Sequence, residues 1–116
     1  MKLEVGMYVR TNGGNIRKIE NFKSSIYNDF IETPYKELIN KKDIKKASHN
    51  IIDLIEVGDY VNGYKVSFKG NDYQPFVQCD YPVECGQTNH YRFYEKAIYS
   101  IVTKEQFSSM EYRLGD

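Results

Sequence analysis

The clearest pattern of hydrophobic and polar residues is a phrase that occurs twice, once in each half of the chain. Residues 5–9 read Val-Gly-Met-Tyr-Val and residues 57–61 read Val-Gly-Asp-Tyr-Val. Valine and tyrosine suit a half-buried pleated strand, and the glycine allows a bend or a close backbone approach. The residues that follow, Asn12–Asn15 and Asn62–Gly63, tolerate positive φ and favour hairpin turns. Each half is therefore predicted to begin with a β-hairpin of the kind found in small SH3-like barrels.

Further strands are predicted between these hairpins. Asp29–Glu32 has the composition of a strand, and Tyr35–Ile39 indicates another strand or a short helical turn. Lys42–Ser48 is expected to be an edge element or a short helix. The apolar run Ile51–Ile55 indicates a buried strand, although its length also fits a helical turn.

Segment 69–90 has no regular period and is rich in Gly, Asn, Asp and Pro, which predicts a long loop or a loose hairpin. Loops of this length in a compact domain are usually functional or disordered, and the aromatic and thiol side chains here argue against disorder. The following residues, Tyr91–Ile101, alternate well enough for one or two strands, Arg92–Tyr94 and Ala97–Tyr99.

The C-terminal residues predict an α-helix over about 103–114. Thr103 is the expected N-cap, and Gln106 completes a capping box. Val102 and Phe107 have the spacing of a hydrophobic staple across the helix start. The apolar face of this helix is expected to consist of Phe107, Met110 and Leu114.

These elements together predict a mainly β fold, either a decorated Greek-key or SH3-like small β-barrel or a sandwich, with the C-terminal α-helix added. The 116 residues fit a single β-rich ligand-binding domain over residues 1–116. Two copies of the repeated phrase are too few for a solenoid, which needs about three repeats.

Charge is balanced overall and uneven along the chain. Sixteen Lys and Arg match sixteen Asp and Glu, which argues against a protein that coats nucleic acid. Residues 1–48 carry ten basic and six acidic residues, and residues 49–116 carry six and ten, an opposition that would favour head-to-tail pairing of protomers. The basic stretch Lys41–Lys46 is interpreted as a solvated face, with a nucleic-acid patch as the alternative.

No apolar run approaches the roughly 20 residues of a membrane helix, and the N-terminal residues lack a signal-peptide core. We therefore expect a cytoplasmic protein without a membrane partner. The same residue inventory gives little support to catalysis, since it contains no paired-carboxylate cleft, catalytic triad or phosphate loop. Neither an enzymatic activity nor a cofactor is expected.

The two cysteines, Cys79 and Cys85, are expected to be free thiols in a reducing compartment. A metal site is not expected, because zinc sites need about four ligands at tighter spacing. A Cys85–His90 nucleophile pair stays open as an alternative, and it would make the protein a small nucleotide-cleaving enzyme.

What the composition favours is recognition by rings and guanidinium groups. The chain has eleven tyrosines, six phenylalanines and a few isolated arginines, among them Arg10, Arg92 and Arg113. Aromatic faces stack on bases, and the planar guanidinium grips phosphate through two hydrogen bonds. Phe76 is a candidate for such stacking because it follows Pro75 in the long segment.

Three phrases resemble a known group of proteins: the run from Asn50 to Gly63, the run from Ser100 to Phe107, and Met110–Tyr112. They look like small proteins encoded by phages and prophages of clostridia and related Gram-positive bacteria. Within that group the chain resembles the Thoeris anti-defence sponge family over roughly its last two-thirds. Members of that family bind cyclic ADP-ribose isomers made by bacterial immune TIR enzymes and withhold them from the effector without cleaving them.

The resemblance implies a fold, an assembly and a set of ligand-binding residues. It implies a decorated Greek-key β-domain with a C-terminal helix, assembled as a dimer or a trimer of dimers with the ligand between subunits. Phe76 would stack on adenine, Asn89 would hydrogen-bond the base or ribose, and Arg92 with Arg113 would meet the diphosphate. Tyr112 and Arg10 are further candidates, and some members hold cyclic oligonucleotides at a separate site. The main alternative is an SH3-like phage protein-interaction or regulatory module.

Overall fold

The computed structural model describes residues 1–71, 73–82 and 88–110. The chain divides into two compact units, unit 1 (Met1–Leu54) and unit 2 (Ile55–Asp116). Antiparallel strands dominate both units, and one α-helix lies near the C-terminus, which confirms the mainly β class. None of the three described sheets closes into a barrel. The single domain over residues 1–116 stays a prediction.

Unit 1 contains two three-stranded antiparallel sheets, one ordered β2-β1-β6 and the other β3-β4-β5. Short 3-10 turns at Lys41–Asp43 and Ile51–Leu54 stand before and after the last strand. The strands are β1 (Tyr8–Thr11), β2 (Ile16–Lys18), β3 (Asn21–Ser24), β4 (Asp29–Glu32), β5 (Leu38–Asn40) and β6 (Ile44–Ser48).

The core of unit 1 is aliphatic and takes side chains from both of its sheets. Val9 and Ile44 come from the first sheet, Ile31 comes from the second, and Ile19 follows β2. All four are at most 8% exposed, and partly buried side chains such as Phe22 pack against them. Removing such apolar surface from water is the main stabilising term for a unit of this size.

Unit 2 is a single five-stranded antiparallel sheet ordered β10-β9-β8-β7-β11. A 3-10 turn at Glu95–Ala97 stands before its last strand. Its buried side chains include Ile55, Val61, Val66, Val77 and Cys79. The elements are β7 (Tyr60–Val61), β8 (Tyr64–Lys69), β9 (Val77–Pro82), β10 (Thr88–Phe93), β11 (Ile101–Val102) and the helix α1 (Lys104–Met110).

The two units share one arrangement of strands. In each, the first strand lies between the second strand and the last, and both pairings are antiparallel. Tyr8 of β1 pairs with Ser48 of β6, and Tyr60 of β7 pairs with Val102 of β11. The repeated sequence phrase therefore marks a repeated arrangement of strands.

Local backbone geometry repeats as well. Gly6 and Gly58, the glycines of the two phrases, have φ of 92° and 99°, which side chains with a Cβ rarely adopt. In each unit a 3-10 turn precedes the last strand, at Lys41–Asp43 in unit 1 and at Glu95–Ala97 in unit 2. The residue after that turn is Ile44 or Ile98, and both have φ of −86°, with ψ of 121° and 118°. Each donates its backbone N–H to the first carbonyl of that turn.

The C-terminal helix begins with the predicted capping box. The Thr103 hydroxyl accepts from the Gln106 backbone N–H at 3.3 Å, and the Gln106 side-chain oxygen accepts from the Thr103 N–H at 3.1 Å. The helix is described from Lys104 to Met110, and the predicted continuation to residue 114 lies outside the described residues. No helix in residues 1–71, 73–82 and 88–110 has the length and apolar composition needed to cross a membrane.

The structure decides between alternatives in two places and corrects one predicted strand. Ile51–Ile55 is the helical turn and not the strand, because the Asn50 side chain accepts from the Ile52 N–H at 3.0 Å and starts a 3-10 turn over Ile51–Leu54. The predicted strand Ala97–Tyr99 is replaced by the 3-10 turn at Glu95–Ala97. Segment 69–90 holds β9 and the start of β10, so the hairpin alternative is confirmed and the long loop is not.

The carboxylate of Asp59 joins the first turn of unit 2 to the start of its helix. Its two oxygens accept the backbone N–H groups of Glu56 at 2.7 Å and Lys104 at 2.9 Å. The residue is 0% exposed. A salt bridge of 2.8 Å between Lys104 Nζ and Glu56 spans the same two segments, and that bond holds the pKa of Lys104 above its usual value.

We predict that Asp59→Ala lowers the free energy of unfolding by about 3 kcal/mol, because two backbone N–H groups lose a charged acceptor. Urea denaturation followed by circular dichroism measures the change. The control is Glu95→Ala, which removes an exposed carboxylate from unit 2 and should cost less than about 0.5 kcal/mol. Equal midpoints for the two variants would contradict the role given to Asp59.

Candidate functional site

The candidate side chains of strands β8, β9 and β10 lie on two opposite faces of the unit 2 sheet. Successive side chains of a strand point to opposite faces, and residues directly opposite each other share a face. Gln78 of β9 lies opposite both Phe68 of β8 and Arg92 of β10. Asp80 lies two residues further along β9, opposite His90. These five side chains therefore share one face, the Arg92 face.

Arg92 is the exposed cation at the centre of this face. Its guanidinium carbon lies 4.9 Å from the centroid of the Phe76 ring, and its Nε donates to the Gln78 side-chain oxygen at 3.4 Å. No salt bridge joins Arg92 to a carboxylate of the described residues. Most of its five N–H donors are thus directed to solvent, where an anion can reach them.

The Phe76 ring next to this guanidinium has two aromatic neighbours. Phe76 is 7% exposed, and its ring centroid lies 6.1 Å from that of Phe68 and 5.8 Å from that of Tyr94. Phe68 and Tyr94 are 54% and 51% exposed. We call Phe68, Phe76, Arg92 and Tyr94 the aromatic–arginine cluster. Phe76 was expected to stack on a ligand, but its ring is buried under Arg92, and the exposed rings belong to Phe68 and Tyr94.

A glycine permits the turn that covers Phe76. The backbone N–H of Gly70 donates to the Phe76 carbonyl at 2.9 Å. A Cβ at Gly70 would stand 2.5 Å from Phe76 Cδ1 and 2.5 Å from the Gln74 carbonyl oxygen, closer than real Cβ atoms come. An open pocket of about 240 Å³ lies at this turn, lined by Phe68, Lys69, Gly70, Asn71, Gln74 and Phe76.

A hydrogen-bonded group of Ser67, Asp80 and His90 lies on the same sheet. One Asp80 oxygen accepts from the Ser67 hydroxyl at 2.9 Å and lies 2.7 Å from His90 Nδ1. The Ser67 bond, followed by that of His90, holds the pKa of the Asp80 carboxyl below its usual value. In a catalytic triad the serine bonds to the histidine, whereas here both bond to the carboxylate, so the hydroxyl is not paired with the imidazole.

The opposite face of the sheet carries a second group of rings. Tyr91 and Phe93 of β10 lie with their ring centroids 6.0 Å apart, and the Tyr64 ring lies 5.0 Å and 6.3 Å from them. Asn89 belongs to this face by the alternation of β10, and Arg92 belongs to the other. The two residues that were expected to bind one ligand therefore lie on opposite sides of the sheet.

The remaining predicted site residues are not part of this cluster. Arg10 lies in β1 of unit 1, is 0% exposed, and donates through Nη1 to the Leu54 carbonyl at 2.9 Å. That buried bond fits a structural role for Arg10, joining β1 to the 3-10 turn of its own unit. Tyr112 and Arg113 lie outside the described residues.

Cys79 is a buried thiol of the β9 strand. It is 0% exposed, and burial, helped by the neighbouring Asp80 carboxylate, raises its pKa to about 11. Cys85 of the proposed Cys85–His90 pair lies outside the described residues, and His90 bonds to Asp80. Among the described residues no group of three or more His, Cys, Asp or Glu side chains could hold a metal ion.

Sequence reasoning missed Phe68 and Tyr94, the two exposed rings of the cluster. Alternation along β8 would have placed Phe68 on the same face as Val66, two positions earlier. Only the irregular register between these two residues places Phe68 opposite Gln78, and the sequence, which left the β9 segment as a loop or a loose hairpin, gave no signal for it.

No family model, no curated protein and no solved structure matches this chain. The geometry of the aromatic–arginine cluster is therefore the main basis for a function.

We predict that Cys79 is almost inert toward thiol reagents in the folded protein. In a Cys85→Ser variant, the reaction with Ellman's reagent near pH 8 should be at least about 100-fold slower than after unfolding in guanidinium, since a pKa near 11 depletes the thiolate. Equal rates before and after unfolding would show that Cys79 is accessible and ionised.

Proposed function

We propose that this protein binds a small nucleotide through the aromatic–arginine cluster and retains it without chemical change. The observation that carries the proposal is the exposed Arg92 guanidinium, which lies over the Phe76 ring, while that ring neighbours the exposed rings of Phe68 and Tyr94. A guanidinium group near exposed aromatic rings is suited to a ligand that has both a base and a phosphate group.

Each group of the cluster has a separate task in this proposal. The base stacks on Phe68 or Tyr94, an interaction worth about 1–3 kcal/mol per base in nucleic-acid binders. Arg92 donates two charge-assisted hydrogen bonds to the diphosphate. Phe76 is the support: its contact with the guanidinium orients the fork before the ligand arrives, so less rotamer freedom is lost on binding.

The polar side chains of the sheet support binding without cleavage. The Ser67 hydroxyl and His90 both bond to Asp80, so the serine is not paired with the imidazole as it is in a catalytic triad. The thiol of Cys79 is buried and protonated at neutral pH. We propose accordingly that the protein is not an enzyme and that bound ligand is released intact.

The resemblance to the Thoeris anti-defence sponge family suggests which nucleotide is bound and in which biological setting. The ligand is then a cyclic ADP-ribose isomer of the glycocyclic type, withheld from the immune effector in the cytoplasm of an infected bacterium. The protein would act as a homo-oligomer, a dimer or a trimer of dimers, in which Tyr112 and Arg113 add ligand contacts. Removing a scarce signal at nanomolar affinity requires about −12 kcal/mol of binding free energy.

Isothermal titration with glycocyclic ADP-ribose tests the proposal directly. We expect tight binding by the unaltered protein, with intact ligand recovered by mass spectrometry after denaturation. Arg92→Gln should weaken binding about 30-fold, corresponding to about 2 kcal/mol for a charge-assisted contact. The control variant Lys2→Gln removes the same charge from an exposed residue of unit 1 and should bind normally.

Phe68→Ala and Tyr94→Ala separate stacking from charge. At least one of them should weaken binding by about 1–3 kcal/mol while leaving the midpoint of thermal unfolding close to that of the unaltered protein. No heat of binding at micromolar protein, or a cleaved nucleotide in the recovered sample, would overturn the proposed function.

A second function, binding of a peptide by unit 1, is favoured by one observation. A cavity of about 550 Å³ lies between β2 and the turn that follows β4, beside the Tyr35 ring, which is 93% exposed. The Arg17–Glu37 salt bridge of 2.9 Å lies at this cavity. Grooves lined by aromatic and proline residues recognise extended proline-rich peptides, which fits the SH3-like alternative.

Titration with a proline-rich peptide, followed by amide chemical shifts, tests this second function. We expect shifts confined to β2 and residues 33–37 and a loss of about tenfold in affinity for Tyr35→Ala, the size of one aromatic contact. Shifts located elsewhere, or an unchanged affinity in the variant, would exclude it.

A further inference from the structure

The turn between β3 and β4 presents two large apolar side chains to solvent. Ile26 is 91% exposed and Tyr27 is 87% exposed. The turn is well ordered by hydrogen bonds: the Ser25 N–H donates to the Asn28 carbonyl at 2.8 Å, and the Asn28 N–H donates to the Ser25 hydroxyl at 3.1 Å. The central positions of such turns usually hold Gly, Pro, Asn, Asp or Ser. Ile26 and Tyr27 at these positions contribute nothing to the core of unit 1.

Two lysines lie beside this turn. The Asn28 side-chain oxygen accepts from the Asn40 side-chain amide at 3.2 Å, which fixes the turn next to the 3-10 turn that carries Lys41 and Lys42. Ile26, Tyr27, Asn28, Asn40, Lys41 and Lys42 all line one cavity of about 300 Å³. We call Ile26, Tyr27, Lys41 and Lys42 the hairpin tip.

The charge of the hairpin tip favours an anionic surface. The carboxylate among the residues that line its cavity is Asp29, and one Asp29 oxygen already accepts from the Ser24 hydroxyl at 3.0 Å. Lys41 lies with Nζ 5.0 Å from the centroid of the Phe22 ring, and no salt bridge of Lys41 or Lys42 occurs within the described residues.

We propose that the hairpin tip docks unit 1 onto the surface of an anionic lipid bilayer. Ile26 enters the boundary between headgroups and acyl chains, the Tyr27 ring lies at headgroup level with its hydroxyl in water, and the two lysines meet lipid phosphates. This contact lies on the surface of the bilayer and needs no spanning helix. It therefore differs from the sequence-based expectation of no membrane partner, which rested on the lack of such a segment.

The small apolar area of the tip favours a bilayer over a folded protein partner. A stable protein interface buries about 800 Å² on each side and requires a matching shape. Two apolar side chains and two lysines on a turn supply much less than that. A bilayer needs no matching shape, and each lysine near an anionic leaflet adds attraction that salt weakens.

A single tryptophan placed in the tip provides the test. The chain has no tryptophan, so Tyr27→Trp gives one fluorophore at the proposed contact. We expect its emission to shift to shorter wavelength, and its quenching by iodide to fall, on addition of vesicles of phosphatidylglycerol and phosphatidylcholine at a ratio of about 3:7. The matched control is Tyr99→Trp, at a tyrosine of unit 2 that is 83% exposed, and its emission should not change.

The charge of the tip is tested in the same Tyr27→Trp background. Lys41→Gln with Lys42→Gln should weaken vesicle binding about 25-fold, or about fivefold for each lysine. Lys65→Gln with Lys96→Gln removes two exposed charges from unit 2 and should leave binding unchanged. Ile26→Ser should reduce the blue shift, while circular dichroism confirms that every variant is folded.

Four outcomes would overturn the proposal. They are an unchanged Tyr27→Trp emission with anionic vesicles, an equal shift with pure phosphatidylcholine, an equal shift in Tyr99→Trp, and equal binding by the two double-lysine variants. None of these measurements involves a nucleotide, so the result is independent of the aromatic–arginine cluster.

Discussion

The buried carboxylate of Asp59 is the interaction on which the architecture of unit 2 depends. One side chain accepts the N–H of Glu56 in the opening turn and the N–H of Lys104 at the start of the helix, two positions more than forty residues apart. The turn leads into β7, which lies between β8 and β11, so this one group joins the opening turn of the unit to the start of its helix beside the sheet. The strands that carry Phe68 and Arg92 extend from that frame.

The two units use the same arrangement of strands in different ways. Both open on a glycine with positive φ and close on a strand that follows a 3-10 turn. Unit 1 pairs β3, β4 and β5 in a separate small sheet, whereas unit 2 continues its own sheet through the six-residue strands β8, β9 and β10. The longer strands of unit 2 give it a broad face, and that face holds the aromatic–arginine cluster.

The parts of the fold that sequence predicted were those determined by local chemistry. The helix start depended on the side chains of Thr103 and Gln106, and Asp29–Glu32 was predicted as the strand that β4 proves to be. The Ile51–Ile55 run was left between a strand and a helical turn, because apolar content does not separate the two, and the Asn50 side chain starts the 3-10 turn that the structure has. The candidate site was harder to predict from the sequence than the fold. The resemblance assigned Asn89 and Arg92 to one ligand, but both belong to the single strand β10, three positions apart, so they face opposite ways.

Because neighbouring residues of β10 face opposite ways, the register of β10 against β9 determines which side chains lie on each face of the sheet. Arg92 lies on one side of the sheet and Tyr91 on the other, so sliding β10 by a single position would exchange them. The guanidinium would then lose Phe76 and meet Tyr64 instead, while the composition of the chain stayed the same. A variant in which β10 pairs with β9 one position away would therefore present a different set of side chains on each face, even though no side chain of the aromatic–arginine cluster had been replaced.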